Sequence, residues 1–209
     1  MTSSDTQNRI LDAALALFNE RGVSKVSVNR IADSAGVSRG NLHYHFRTKE
    51  EIITALFDRM AEDMKSAGET DLGNLTVAHI RTMFDRYVER VWTYRFIFRE
   101  LTALTNRDPL LRRRYHASRE RRMTELAEFF EGLIKLGHMR RPAPPVTVTG
   151  LVTLSWIACD NWIAFLEAGG EPVTPARIDE GFSLVMSLFA PYLNRPASTV
   201  RRERPDDQR

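Results

Sequence analysis

Cysteine is nearly missing from this chain: Cys159 is the only one in 209 residues. An internal disulfide is therefore excluded, which fits a reducing compartment. The apolar neighbours Trp156, Ile157, Ala158 and Trp162 make Cys159 a small core residue rather than a reactive thiol. Strand-like alternation, internal repeats and low-complexity core segments are also missing. The signatures G-x-S-x-G, H-E-x-x-H, a Walker loop and a carboxylate-rich metal motif do not occur, so neither cofactor nor metal is expected. The first ten residues, MTSSDTQNRI, are polar and contain no apolar signal core. Long hydrophobic runs are scarce. Residues 146–166 come nearest to a membrane span, but Asp160 and Asn161 sit well inside them. A mid-helix Asp costs about 2.5–3.5 kcal/mol on insertion, so the expectation is a soluble cytoplasmic protein with no membrane partner. The net charge of +3 and pI near 9.2 permit a nucleic-acid partner without arguing for one.

What is present is helical periodicity, with 43% hydrophobic residues to support a core. Ile10, Leu11, Ala14, Leu15 and Phe18 form one stripe on a helix over 4–21, with a Ser4…Gln7 capping box and Gly22 as its stop. A longer helix over 49–65 carries Ile52, Ile53, Leu56, Phe57 and Met60 on one side. Residues 68–74 read as a loop and a domain boundary. Beyond it come helices over about 75–93 and 95–104. A further helix is opened by Asp108-Pro109 and runs to 136. Another covers 146–167, and a last one, opened by Thr174-Pro175, covers 175–193. The tail from 195 to 209 reads as disordered. About nine helices make the chain all-α. The expected division is a three-helix domain at 1–48, a connecting helix at 49–67, and a larger helical domain at 75–194.

The most informative stretch is Ser27 to Glu51. Ser27 caps a short helix whose inward face is Val28, Ile31 and Ala32, and Gly36 supplies the left-handed residue that ends it. Ser38 caps the next helix, Arg39–His45, and Thr48 with Glu51 makes a capping box for the one after. Phe46 is placed to close the small core. A sharp turn before a helix ringed by Arg, Asn, Tyr and His builds an element that fits a DNA major groove. Ser38 and the first amides of its helix favour a phosphate. Arg39 is placed to reach a guanine edge, and Gly40 lets backbone approach a base. Ser27, Asn29 and Arg30 face the other side of the groove. The competing reading is that these are ordinary caps and solvated polar groups. His43 and His45 are not a metal pair, because residues two apart on a helix diverge.

The run GVSRGNLHYHFRTKEEII, residues 36–53, resembles the signature of the tetracycline-repressor (TetR) family of bacterial regulators. The close resemblance covers roughly residues 8–57, and beyond it only helix count and layout match. It implies a homodimer whose two heads enter successive major grooves of double-stranded operator DNA, and a small-molecule pocket in each C-terminal domain. It further implies that Arg39, Gly40 and Asn41 touch bases while Tyr44, His45 and Lys49 grip phosphates. Relatives usually carry Tyr where this chain has His43, and an imidazolium would hold phosphate better. Operator affinity is therefore expected to rise modestly as pH falls from about 7.5 to 6.

For the pocket, the set drawn from the second half is Trp92, Phe96, Tyr115, Arg119, Arg122, Met123, Trp156 and Trp162, though most aromatics there must be core. At about 100° per residue, Arg113, Arg114 and Arg121 fall opposite Leu126 and Phe130. Arg112, Arg119 and Arg122 fall near the apolar stripe. These three read either as boundary residues paired with Glu100 or Asp160, or as anchors for an acidic group on an otherwise apolar effector. The helices over 146–193 are too apolar to be covered by one small domain. They are the expected dimer interface, with Gly150, Ser155 and Ala158 permitting close approach. The resulting expectation is a ligand-released repressor rather than an enzyme. An activator or ligand-independent regulator with the same head, an all-α enzyme and a non-specific architectural DNA binder are the rivals.

Overall fold

The computed structural model describes residues 3–66 and 77–194. The expected loop at 68–74 and the tail at 195–209 lie outside them. Nine α-helices are present among the described residues: α1 Ser3–Arg21, α2 Val28–Ala35, α3 Arg39–His45, α4 Lys49–Ser66, α5 Val77–Thr93, α6 Arg95–Arg107, α7 Pro109–Lys135, α8 Val148–Ala168 and α9 Pro175–Phe189. An isolated bridge between Met139 and Leu193 is the one β interaction recorded among them.

Local chemistry sets most of these boundaries. Ser27 Oγ accepts from the Arg30 amide at 3.3 Å, and Ser38 Oγ from the Asn41 amide at 3.1 Å. Gly36 has φ +62°, so α2 turns sharply into α3 where an L side chain would be strained. Asp108 Oδ1 accepts from the Leu110 amide at 2.8 Å beside a proline in the first turn. Thr147 and Thr174 cap α8 and α9 in the same way. At α4 the Glu51 amide donates to Thr48 Oγ1, but the Glu51 carboxylate accepts from Arg47, not Thr48.

Two details depart from expectation. Ser4 lies inside the first turn of α1, because the helix already starts at Ser3. A 3-10 turn, Val23–Lys25, follows Gly22. Its apolar Val23 is 4% exposed, and Lys49 Nζ donates to the carbonyls of Val23 and Val26 at 2.9 and 3.1 Å.

The head does not float on a linker. One apolar cluster runs from Ile10 and Phe18 of α1 through Ile31, Leu42 and Phe46 to Ile52 and Leu56 of α4, then on to Phe96, Ile163 and Phe182. A second cluster joins Phe129, Phe130 and Leu133 of α7 to Val148, Leu151 and Val152 of α8 and to Val185 and Phe189 of α9. Polar bonds fasten head to body. Asn19 Nδ2 donates to Thr93 O at 2.7 Å while its Oδ1 accepts from the Phe96 amide at 3.1 Å. Glu100 accepts from the Val23 amide at 2.8 Å, and Arg59 pairs with Asp12 at 2.7 Å. These bonds hold α1 against the α5–α6 corner and against α4.

Candidate nucleic-acid interface and interior cavity

The α2–α3 unit is buried on one face and open on the other. Ile31, Ala32 and Leu42 are core, whereas Ser27, Asn29, Arg30, Ser38, Arg39, Gly40, Asn41, His43 and Tyr44 are all exposed. Tyr44 is 80% exposed, an unusual state for an aromatic on a folded helix. It meets the half-buried His45 edge to face, with ring centroids 5.2 Å apart. A Cβ built on Gly40 would meet nothing within 4 Å. Neither packing nor a positive φ requires glycine there, although glycine costs a helix about 1 kcal/mol relative to alanine. The turn itself is stapled from α1. Arg9 Nη2 donates to Ala35 O at 2.5 Å and to Gly36 O at 3.1 Å. Two of the three Lys49 donors are committed to Val23 and Val26, which leaves one for an outside acceptor.

Inside the body, a cavity of about 80 Å³ lies on the seam between the two apolar clusters. Met64, Tyr87, Leu126, Phe130, Trp156, Cys159, Phe182, Val185 and Phe189 wall it, with Arg90 and Arg122 as its cationic residues. An annex of about 30 Å³ shares Met64, Tyr87, Arg122 and Trp156 and adds Tyr115, Arg119 and Asp160. Of the sequence-derived set, Arg122 and Trp156 line the cavity, and Tyr115 and Arg119 line the annex. Phe96 does not reach either; it is fully buried against Phe18, with centroids 5.2 Å apart. Trp92 lies under the Arg95 guanidinium at 4.2 Å, and Met123 lines an outer groove between α7 and α8. Trp162 donates to Arg177 O at 2.7 Å and lies flat on Gly181, which binds α8 to α9.

The arginine reading also changes. Arg112 and Arg119 are exposed, and only Arg122 is nearly buried, its side chain 12% exposed. Its partner is Glu125 at 2.9 Å rather than Glu100 or Asp160. Arg114, expected to be solvated, is exposed but pairs with Asp58 at 2.6 Å. Angular spacing fixed each residue's side of α7, but which flank is roofed depends on α5 and α8. Asp160 instead accepts from the Tyr115 hydroxyl at 2.5 Å and Trp156 Nε1 at 2.8 Å. Burial raises its carboxyl above the ordinary range, opposed by those two hydrogen bonds and by Arg119. Burial likewise pushes the Cys159 thiol and the Tyr115 phenol each up to about 12, and the Tyr87 phenol well above its usual value. The cavity residues outside the sequence-derived set are Met64, Tyr87, Arg90, Leu126, Phe130, Ser155, Cys159, Phe182, Val185 and Phe189. They come from five helices and share no local spacing.

The outer face of α8 is apolar without being covered. Leu154, Ile157 and Phe165 are 53%, 54% and 63% exposed, and Leu184 of α9 is 57% exposed. Ala158 and Asn161 share that stripe. Ser155 does not: it is buried, lines the cavity and donates to Val152 O at 2.8 Å. By length and composition alone α8 would cross a membrane, yet it packs against α6, α7 and α9.

Residues 10–56 match the family described as bacterial regulatory proteins of the tetR family, and residues 57–199 match one described as bacterial transcriptional repressor. The AcrR transcriptional regulator of Shigella flexneri is 39% identical over 56 residues, 27% of this chain and 26% of that protein. The chain thus spans about a quarter of the AcrR length in that match. The transcriptional repressor AcnR of Corynebacterium diphtheriae is 27% identical over 172 residues, 82% of this chain and 86% of that protein. A TetR-family regulator from Marinobacter aquaeolei superposes with a TM-score of 0.81 at 28% identity, covering 93% of this chain and 92% of that one.

Proposed function

The chain belongs to the TetR family of bacterial transcriptional regulators, and we propose that it acts in the cytoplasm as a homodimeric repressor that a small molecule releases from a pseudo-palindromic operator. The observation that carries this reading is α3. It is a capped helix, set by a turn stapled to α1, whose outer face is exposed and includes a glycine that packing within the fold does not require. A glycine at that position suits a base or phosphate pressed against the backbone. Arg39, Gly40 and Asn41 are the proposed readers of base edges. Ser27, Asn29, Arg30, Ser38, His43, Tyr44, His45 and Lys49 are the proposed phosphate contacts.

The exposed stripe on α8 and α9 is the proposed dimer face, not a membrane span. Asp160 on the same helix points into hydrogen bonds within the body, and the exposed apolar residues fall on one side only. With 1–48 as the head, 49–67 as connector and 75–194 as body, the two heads would sit one DNA turn apart, about 34–36 Å. The effector is proposed to occupy the cavity and annex, with an apolar body and an acidic group. It releases DNA only to the extent that it prefers a state with different head spacing.

The test is selection of the full chain against random duplex DNA. Recovery of a palindrome with half-sites about one turn apart supports the reading. Enrichment of no sequence would leave a non-specific DNA binder and reject the operator. An operator lying upstream of a promoter rather than over it would replace repression with activation.

A further inference from the structure

The cavity wall holds a buried guanidinium nitrogen that has no partner among the described residues. Arg90 Nε is buried with no hydrogen-bond partner. Arg59 Nε shares that state among the described residues, but Arg59 has its own ion pair with Asp12. Arg90 has no recorded ion pair among those residues, and it lines the cavity directly. Arg90 as a whole is half-buried, but a buried donor left without an acceptor is costly, so its retention calls for an explanation.

The other titratable groups at the cavity supply no counter-charge. Arg122 is matched by Glu125, which also faces Arg121 at 3.7 Å. Tyr87 and Cys159 stay neutral at physiological pH because burial raises both. Asp160, in the annex, is already engaged by Tyr115 and Trp156, and the cation acting on it is Arg119. The remaining wall is hydrocarbon and aromatic ring: Leu126, Phe130, Phe182, Val185 and Phe189.

An acceptor is therefore missing beside Arg90 and Arg122, against an apolar surface. A cation would meet two guanidinium groups, and a dianion would bring one charge too many into an apolar wall. A carboxylate offers two oxygens to the forked donors of arginine. We propose that the effector is an amphipathic monocarboxylate, its carboxylate held by Arg90 and Arg122 and its hydrocarbon body lodged against Phe130, Phe182 and Phe189. This rests on the cavity being the effector site, as argued above. The position also suits a switch. Arg90 lies one helical turn before Thr93 and Tyr94, and Thr93 O receives the Asn19 amide from the head.

The experiment is calorimetric titration of the full-chain protein with octanoate, 1-naphthoate, their amides, and octyl phosphate. At least one carboxylate is expected to bind about tenfold or more tighter than its amide and than octyl phosphate. Arg90→Gln and Arg122→Gln should each erase that preference while leaving amide binding within about twofold. Arg90→Met should raise the melting temperature of the ligand-free protein, since it removes a buried donor that has no acceptor. Equal binding of acid and amide, or a preference that survives Arg90→Gln, overturns the clamp while leaving the cavity as a neutral-ligand site. Failure of every probe to bind, in protein that still binds DNA, overturns the cavity reading and the clamp together. A lowered melting temperature for Arg90→Met would mark Arg90 as a structural group and overturn the clamp independently of any ligand.

Discussion

Gly40 separates folding from function at the scale of one residue. A methyl group there meets no atom of the fold, and alanine is the better helix former by about 1 kcal/mol. Gly40→Ala should therefore hold or raise the melting temperature while operator affinity falls at least several-fold. Unchanged affinity in a gel-shift titration would place α3 away from the DNA backbone. Asp160 makes a contrasting case. Its carboxyl is raised in the fold, mainly by burial, so the folded state binds its proton more tightly than the unfolded chain. The associated stability is fully present below the ordinary carboxylate range and is lost as pH rises through the raised value. Asparagine keeps an oxygen to accept from Tyr115 and Trp156 and carries no charge. The stability of Asp160→Asn relative to the parent should thus improve from pH 4 to pH 7, as read by paired denaturant melts. A pH-independent difference would mean that the carboxyl is not raised.

At the scale of elements, the joint between head and body is not the connecting helix alone. The sequence points to α4 as the connecting helix. In the fold α4 is indeed tied to α7, through Thr54 to Asp108 at 3.2 Å and Asp58 to Arg114 at 2.6 Å. A second joint, absent from the expected scheme, is the Asn19 bracket on the α5–α6 corner, backed by Arg99, which donates to Asn19 O at 3.2 Å and pairs with Glu167 at 2.5 Å. Asn19→Ala leaves the Phe96 amide and Thr93 carbonyl without that partner, at a cost of about 1–3 kcal/mol. The expected result is lower thermal stability and faster hydrogen exchange at Phe96 and across Val23–Val26. Exchange that stays as slow as in the parent would limit the joint to α4.

The whole molecule raises the question of assembly. Leu154, Ile157 and Phe165 with Leu184 form an exposed apolar face larger in character than scattered surface residues. The second copy proposed to cover it would also fix the spacing of the two heads. Ile157→Glu combined with Phe165→Asp should give a folded monomer by sedimentation. Because a monomer could engage only one half-site at a time, operator affinity should drop by orders of magnitude. A double variant that still sediments as a dimer would assign the interface elsewhere.

The helix-turn-helix was legible because its instructions are local. Ser27, Ser38, Thr48 and Gly36 act on amides three residues away or on their own φ, so spacing alone reveals them. The same holds for Asp108-Pro109 and Thr174-Pro175. The cavity was not legible, and only Arg122 and Trp156 of the set expected to bind ligand reach it. Its walls are gathered from α4, α5, α7, α8 and α9, and a helical period says which side a residue faces but not whether a neighbour fills the space there. Trp162 and Phe96 look like pocket aromatics in sequence but pack on Gly181 and Phe18. Ser155 looks like a dimer contact but faces inward. Local backbone chemistry thus determined the all-α layout and the helix-turn-helix head from the sequence by itself. Tertiary packing decided the cavity, the unpartnered Arg90 Nε and the uncovered face of α8, because each depends on which surfaces from distant parts of the chain meet and which do not.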